Sequence, residues 1–214
     1  MSGNTLYWRV SYDAATGLLE SRKTSDGEDS GWLSPRWWGE RVHTDGKPGG
    51  TWQAVGQPGY RLLGLDTQGM IDDGTPTSFA AFTVKAADHF LFTTPEQVPL
   101  GPDRLLGARS LNGPQASGYE FDATPDHLGV RATPLEGLTV LASATDQLNI
   151  ETMGKDPTHG GDIVHWLRPE GGEVVSIGSI SFTGALPVDA AAATFVSNVL
   201  SHFGVPREDV GSTL

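Results

Sequence analysis

The sequence predicts an α/β domain that combines short strands with one C-terminal helix. Gly (28 residues) and Pro (14 residues) make up about a fifth of the 214 residues, a content typical of short strands joined by many turns. Near the C-terminus, apolar residues recur at helical spacing between a plausible N-cap, Asp189, and a plausible C-terminal glycine, Gly204. This stripe consists of Ala192, Phe195, Val196, Val199, Leu200 and Phe203.

The strands are predicted from apolar runs bounded by turn residues. "LYWRVSYD" and "LLESRK" predict a hairpin around "AATG", and "YRLLGLDTQGM" predicts a further strand and turn. "SFAAFTVKAADHFLF" is ambiguous, because the spacing of Phe79 and Phe82 suits a helix whereas "HFLFT" suits a strand. "GYEFDAT" predicts a short strand or a turn, and "LTVLASAT" predicts a buried strand. Residues 162–181 predict a hairpin that reverses at "RPEGGE".

Composition excludes several classes of protein. The net charge of −12 argues against a nucleic-acid partner, since binding to phosphates needs a basic surface. The absence of cysteine excludes disulfides, thiolate metal sites and a cysteine nucleophile, and it fits a cytoplasmic location. No apolar run is long enough to span a membrane, and the first residues lack the pattern of a secretory signal.

The segment "SISFTGAL" follows an apolar strand with unusually small residues. In open α/β sheets, ligands bind beyond the carboxyl ends of strands, so small side chains here would leave room for a substrate. The alternative is that Gly178 and the neighbouring serines only allow a helix to pack close to the sheet.

Glu120 is the strongest candidate for a catalytic residue. It stands between apolar neighbours in "GYEFD", where a carboxylate is costly unless it is paired, and such groups often act as general bases. An ion pair with Arg9 or Arg22 is the structural alternative. Asn4 could orient a substrate or a water molecule, or it could simply form a turn.

Residues 24–59 form a second region of interest because they are rich in loop residues and in tryptophan. Such a long connection predicts a packed functional loop or a subunit contact. Within it, Glu40 and His43 could act as an acid–base pair, or they could be solvated loop residues. The tryptophans in or near this loop are Trp32, Trp37, Trp38 and Trp52.

The order of several short motifs resembles the C-terminal domain of the large (beta) subunit of N,N-dimethylformamidase. These motifs are "GNTLYWRV", "LLESRK", "GERVH", "GGTWQAVG", "SGYEFD", "LTVLAS", "GGEVVSIGSISFTGAL" and "VSNVLSHFGV". The resemblance implies one domain over residues 1–214 with an incomplete glutamine-amidotransferase-like (flavodoxin-like) sheet, β-rich insertions and a C-terminal helix.

The resemblance also implies a chemistry, the hydrolysis of small amides at an iron ion held by two tyrosines and a glutamate. Asn4 matches the Asn of the family's "GNxxYW" stretch, and Glu120 matches the Glu of its "GYE" stretch. Both would line the metal pocket, with Ser179 and Phe182 at the substrate pocket. The family's iron ligands lie upstream of "GNxxYW", so no metal ligand is assigned to this chain.

Three functions remain open at this point. The chain could be part of a split amide hydrolase, with iron present only if a partner chain supplies the ligands and missing strands. It could be a non-catalytic binding or structural subunit. It could also be an enzyme of altered chemistry that works without iron and uses Glu120, with Glu40 and His43 as further candidates. Either of the first two predicts a protein partner or a homo-oligomer, because an incomplete sheet exposes an edge.

Overall fold

Most of the chain is described by the computed structural model. The described residues are 3, 5–23, 42–53, 55–70, 79–125, 135–145, 151–152 and 159–205. Asn4, Glu40, Trp32, Trp37 and Trp38 therefore lie outside the described residues.

The described chain combines ten short strands with three α-helices and one 3₁₀ helix. The strands are β1 (Val10–Asp13), β2 (Leu18–Ser21), β3 (Asp66–Met70), β4 (Phe82–Val84), β5 (Leu105–Leu106), β6 (Glu120–Ala123), β7 (Leu138–Ala144), β8 (Glu151–Thr152), β9 (Asp162–Leu167) and β10 (Glu173–Ile177). The helices are α1 (Tyr60–Leu63), α2 (Phe90–Thr93), α3 (Ala190–His202) and the 3₁₀ helix Ile180–Ala185.

The strands form three sheets within the described residues. β1 and β2 make a hairpin, β10-β9-β7-β4-β5 form a five-stranded sheet, and β6-β3-β8 form a three-stranded sheet. Every pairing between these strands is antiparallel. The mixture of strands and helices agrees with an α/β protein in the broad sense.

The antiparallel pairing differs from the parallel, flavodoxin-like sheet that the resemblance implies, and that sheet is not confirmed. Parallel neighbours need crossover connections of a dozen or more residues, usually helical. Here α1 and α2 have only four residues each, and the 13-residue α3 follows the last strand. The described chain instead joins β9 to β10 by the tight reversal predicted at "RPEGGE".

The C-terminal helix is confirmed with its predicted ends. The Asp189 side chain accepts a hydrogen bond from the Ala192 N–H at 2.9 Å, and Gly204 adopts a positive φ of 76°, the left-handed conformation that ends many helices. The N-terminal part of the stripe packs against the five-stranded sheet, where Phe195 stacks on Phe92 with ring centroids 5.0 Å apart. Leu200 and Phe203 remain about half exposed.

A buried amide fixes α3 against α2. The Asn198 Nδ2 group donates to Leu91 O at 3.0 Å and to Glu96 O at 2.7 Å, and Oδ1 accepts from the Glu96 N–H at 3.2 Å. Because backbone groups that are buried without partners are costly, one side chain here satisfies the end of α2 and its following turn.

The remaining strand predictions have mixed outcomes. The hairpin of β1 and β2, the strand β6 and the buried strand β7 are confirmed. In the ambiguous segment, both assignments are wrong: residues from Phe82 form β4, and "HFLFT" contains α2. His89 begins α2 as its N-cap, because its side chain accepts from the Leu91 N–H, a local signal that overrides strand propensity.

The small residues in and after β10 serve close packing of the backbone. A Cβ at Gly178 would overlap the carbonyl oxygen of Asp122 and lie 2.9 Å from that of Asp162. Ser176 Oγ donates to Leu63 O at 2.8 Å, and Ser181 Oγ donates to Gly118 O at 3.2 Å. Gly178 and Ser181 therefore accommodate β6 and the segment before it, whereas Ser176 contacts the last residue of α1.

Candidate functional site

β6 lies where the two larger sheets meet. On one side it pairs with β3; on the other, Phe121 forms a bridge with Ser179. The Asp122 N–H donates to Gly178 O at 3.1 Å, and the Gly178 N–H donates to Asp162 O at 2.8 Å. This ladder fixes the backbone of β6 next to the end of β10.

One face of β6 carries two carboxylates. Glu120 and Asp122 are two residues apart, and alternate residues of a strand share a face. Glu120 is half-buried, whereas Asp122 is only 1% exposed. Opposite Asp122 in the register is Thr67, and opposite residues of antiparallel strands also share a face. The face therefore presents two acids and a hydroxyl side by side.

The N-terminal segment crosses this same face. A Cβ at Gly3 would overlap the carbonyl oxygen of Glu120 and lie 2.5 Å from its Cβ, so the backbone at Gly3 lies against Glu120. The Thr5 N–H donates to Asp122 Oδ2 at 3.2 Å, over a separation of 117 residues. Both neighbours of Asn4 thus contact β6, while Asn4 itself lies outside the described residues and its convergence with Glu120 stays a prediction.

Backbone strain occurs on both sides of this contact. Tyr119, immediately before Glu120, has a φ of 58°, and Leu6, immediately after Thr5, has a φ of 53°. Bulky side chains rarely adopt this conformation, which costs about 1–3 kcal/mol. Such conformations concentrate at functional sites, so their position supports the choice of this face.

The two residues predicted for the substrate pocket are fully buried. Ser179 accepts hydrogen bonds at Oγ from the N–H groups of Gly118 (3.1 Å) and Ser181 (3.2 Å). The ring of Phe182 packs edge-on against Phe82 with centroids 5.7 Å apart. Both are 0% exposed, and their role toward a substrate stays a prediction.

A cavity of about 340 Å³ occurs elsewhere on the described surface. It lies between residues 99–109 and the start of α3, and neither Ser179 nor Phe182 lines it.

Two buried polar groups on β3 were missed by the sequence analysis. Burial raises the pKa of Asp66 despite hydrogen bonds from the backbone of Thr67, Gly59 and Tyr60. Asp66 Oδ2 and Thr67 Oγ1 are both buried without a hydrogen-bond partner in the described part of the chain. No pattern in "LDTQGM" predicts that Asp66 and Thr67 are buried. The alternation in "YEFD", in contrast, could have placed Asp122 beside Glu120.

A second buried acid, Asp162, has hydrogen bonds that offset the cost of burying its charge. Burial by itself raises the pKa of this carboxyl, but the hydrogen bond with His159 and those from Thr124 and Ser143 outweigh it, and the net pKa is lowered. His159 Nε2 lies 3.1 Å from Oδ1, and the Thr124 N–H and Oγ1 donate to Oδ2 at 2.8 and 2.9 Å. This satisfied set stabilises the chain around β9.

His43 belongs to a structural network and is not a solvated loop residue. It is 2% exposed. Its Nε2 accepts from the Arg22 N–H at 3.3 Å, and its Nδ1 lies 2.6 Å from Ser11 Oγ. Because the backbone N–H can only donate, Nε2 must be the acceptor and Nδ1–H the donor. The proton is therefore on the wrong nitrogen for His43 to take one from Ser11.

The arginines suggested as partners of Glu120 have carboxylates elsewhere. Arg9 pairs with Asp45 and also donates to Pro48 O at 3.1 Å. Arg22 Nε pairs with Glu20 Oε1 at 2.5 Å. Hydrogen bonds from Thr44, together with Arg22, lower the pKa of Glu20 to about 2. The loop containing His43 thus joins the N-terminal hairpin through charged groups.

Three histidines and a glutamate form a chain of hydrogen bonds beside α2. Since the Leu91 N–H donates to His89 Nδ1 at 3.3 Å, His89 Nε2–H donates to His165 Nδ1 at 3.0 Å. His165 Nε2–H in turn donates to Glu173 Oε1 at 2.5 Å, which also accepts from His202 Nε2 at 2.7 Å. One backbone N–H therefore sets the tautomers of His89 and His165.

This chain predicts a loss of stability in mild acid. Burial lowers the pKa of His89, and the charge of His165 lowers it further, whereas the charge of Glu173 opposes this shift. As the pH falls, His89 of the unfolded chain therefore takes up a proton near pH 6.5, before His89 of the folded protein does. The contribution of His89 to the free energy of unfolding is fully present above that pH and is lost below it. Urea unfolding between pH 7 and 5 should show this loss, with at most about 1.4 kcal/mol per pH unit from one proton.

The variant His89→Asn isolates this contribution. Asn is a good N-cap that does not titrate, so it should reduce the slope of stability with pH while the acid sensitivity contributed by His43, whose pKa is also lowered by burial, persists. Equal slopes in the variant and the parent would contradict the assignment.

Among the described residues, no group of three or more His, Cys, Asp or Glu side chains is arranged to hold a metal ion. The helices within the described ranges are also too short or too polar to cross a membrane.

Taken together, these features define a predominantly antiparallel α/β domain with two acids on one strand face, crossed by its own N-terminal segment. The chain belongs to the family described as N,N-dimethylformamidase beta subunit-like, C-terminal, whose family model matches residues 1–194. No curated protein matches the chain.

Proposed function

We propose that this chain is part of a hydrolase that cleaves the C–N bond of small amides and that a partner chain completes its active site. The observation that carries the proposal is the contact of Gly3 and Thr5 with Glu120 and Asp122. It brings both neighbours of Asn4 to the strand that holds the predicted acid–base residue. Membership of the dimethylformamidase-like family supplies the reaction class.

The proposed reaction needs one carboxylate and one amide group from this chain. The Glu120 carboxylate accepts a proton from water as the water oxygen bonds to the amide carbon. It then returns that proton to the nitrogen as the C–N bond breaks, which gives a carboxylic acid and an amine. The Asn4 side chain orients the carbonyl or the water through hydrogen bonds.

Iron enters the proposal only with ligands from a partner chain. Bound there, the metal would supply polarisation of the carbonyl or activation of water. No His, Cys, Asp or Glu group of three or more is arranged as a ligand set among the described residues, and no step of the reaction is assigned to the metal.

An apolar face of the N-terminal hairpin supports a protein partner. Val10 and Tyr12 alternate on β1, and Leu19 lies opposite Tyr12. Tyr12 is 68% exposed and Leu19 is 69% exposed, and a two-stranded hairpin gains little stability by itself in water. The family description names a beta subunit, which fits an assembly with another chain.

Three further points belong to the proposal. The relationship to glutamine-amidotransferase-like domains rests on the resemblance alone, since the described strand pairs are antiparallel. Residues 1–214 are proposed to form one domain. A cytoplasmic location is proposed from the absence of cysteine.

A non-catalytic binding or structural subunit is the second candidate function. The observation that favours it is the complete burial of Ser179 and Phe182, which the packing of this segment explains without a substrate.

Production of the chain alone and together with the product of a neighbouring gene separates these functions. Iron content and the release of dimethylamine from N,N-dimethylformamide are measured in both preparations. Iron and hydrolysis only in the pair are the expected result. A stable complex without hydrolysis would favour the binding subunit, and hydrolysis by the metal-free chain alone would favour the altered chemistry.

A further inference from the structure

The carboxylate of Asp122 has a role that strand pairing does not explain. The backbone of Asp122 is already fixed, because its N–H donates to Gly178 O at 3.1 Å. Its side chain is nevertheless a carboxylate at 1% exposure, a state that is costly without compensating hydrogen bonds. A small apolar residue would pair equally well with β3.

One compensating hydrogen bond comes from the segment that contains Asn4. Asp122 Oδ2 accepts the Thr5 N–H at 3.2 Å, and Leu6, the next residue, is held at a φ of 53°. A left-handed leucine is stable only where its surroundings impose it. The bond from Thr5 to Asp122 is a described contact that can impose this path.

The neighbouring hydroxyl marks the same face. Thr67 pairs with Asp122 in the register, is 3% exposed, and its Oγ1 has no hydrogen-bond partner among the described residues. A buried polar atom in this state commonly meets a water molecule or a ligand. The face beside Asp122 is thus equipped to contact a polar molecule.

We propose that Asp122 is a positioning residue, whose carboxylate holds the N-terminal segment across β6, beside Glu120, through the Thr5 N–H. This inference rests on the proposed function for its catalytic consequence. Its structural content, the docking of Thr5 by Asp122, can be measured without activity.

The test compares Asp122→Ala with Asp122→Asn in the full chain. Asn retains an oxygen that can accept the Thr5 N–H, whereas Ala removes it. Hydrogen exchange of the Thr5 amide should accelerate by about 10- to 100-fold in Asp122→Ala, as expected for loss of a hydrogen bond to a charged group, and less in Asp122→Asn. The Asp122–Gly178 amide ladder should remain protected in both, which reports an intact fold.

Asp13→Ala is the matched control. Asp13 also accepts a backbone N–H, that of Ala15 at 2.9 Å, but within its own turn, so this variant should leave Thr5 exchange unchanged. Unchanged Thr5 exchange in Asp122→Ala would overturn the proposal. Should that variant not fold, Asp122→Asn decides, since the loss of the charge should still accelerate Thr5 exchange measurably.

In the assembled enzyme, Asp122→Ala should lower kcat by about 10- to 100-fold, as misplacement of catalytic groups does, and should change KM little. The variant Asp122→Asn should retain part of the lost kcat. Equal loss in both variants, or a change in KM alone, would contradict a positioning role. Absence of hydrolysis by the parent assembly would refute the proposed function, while the exchange data would still decide the docking.

Discussion

Replacement of Glu120 by Gln is expected to reduce amide hydrolysis by the assembled enzyme by about 10²- to 10⁴-fold, the usual contribution of a general acid–base group. Gln has nearly the same shape as Glu but cannot accept and return the proton. Because Glu120 is half-buried on a strand whose backbone is paired on both sides, the fold should tolerate the change. Steady-state release of the amine measures the effect.

Glu170→Gln is the matched control for this variant. Its side chain is 75% exposed in the turn between β9 and β10, away from the proposed site, so turnover should stay at the parent level. An unfolding midpoint equal to that of the parent would exclude loss of fold as the cause in Glu120→Gln. Full activity of Glu120→Gln would remove this residue from the mechanism.

Gly178→Ala is expected to lower the free energy of unfolding by about 3 kcal/mol or more, the upper range for an overpacked core. The added methyl group would meet the carbonyl oxygens of Asp122 and Asp162. Both are backbone atoms of paired strands and cannot turn aside as a side chain would. Urea unfolding of the purified chain measures the change as a shift of the midpoint.

Gly101→Ala provides the comparison. No atom lies within 4 Å of a Cβ at that position, and the glycine does not need a left-handed φ. Its stability should therefore match that of the parent or rise slightly, because alanine restricts the unfolded chain. Unfolding of Gly178→Ala at the same urea concentration as Gly101→Ala would contradict the close packing of backbone atoms around Gly178.

Local sequence signals predicted the elements that local interactions determine. The Asp189 cap, the apolar stripe and Gly204 define α3 without reference to the rest of the chain. The β9–β10 hairpin depends likewise on its own turn. "HFLFT" was assigned incorrectly because the decisive contact, the Leu91 N–H to the His89 ring, looks the same in sequence as any other histidine before an apolar run.

Contacts between segments that are distant in the sequence were harder to predict. The small residues around Gly178 signalled a close approach, but the sequence could not show that β6, and not a helix or a ligand, is the neighbour. Pairing direction was also hidden, since the resemblance implies parallel strands whereas the described pairs are antiparallel. The alternation in "YEFD" could have placed Asp122 beside Glu120, but its contact with the Thr5 N–H, 117 residues away, could not be predicted.

The proposed function depends on the predicted meeting of Asn4 and Glu120, and nuclear Overhauser contacts in the isotope-labelled full chain test this directly. Cross-peaks between the side-chain amide protons of Asn4 and the side-chain methylene protons of Glu120 are the predicted result. Well-resolved spectra in which the Asn4 amide instead shows contacts only to residues remote from β6 would contradict it.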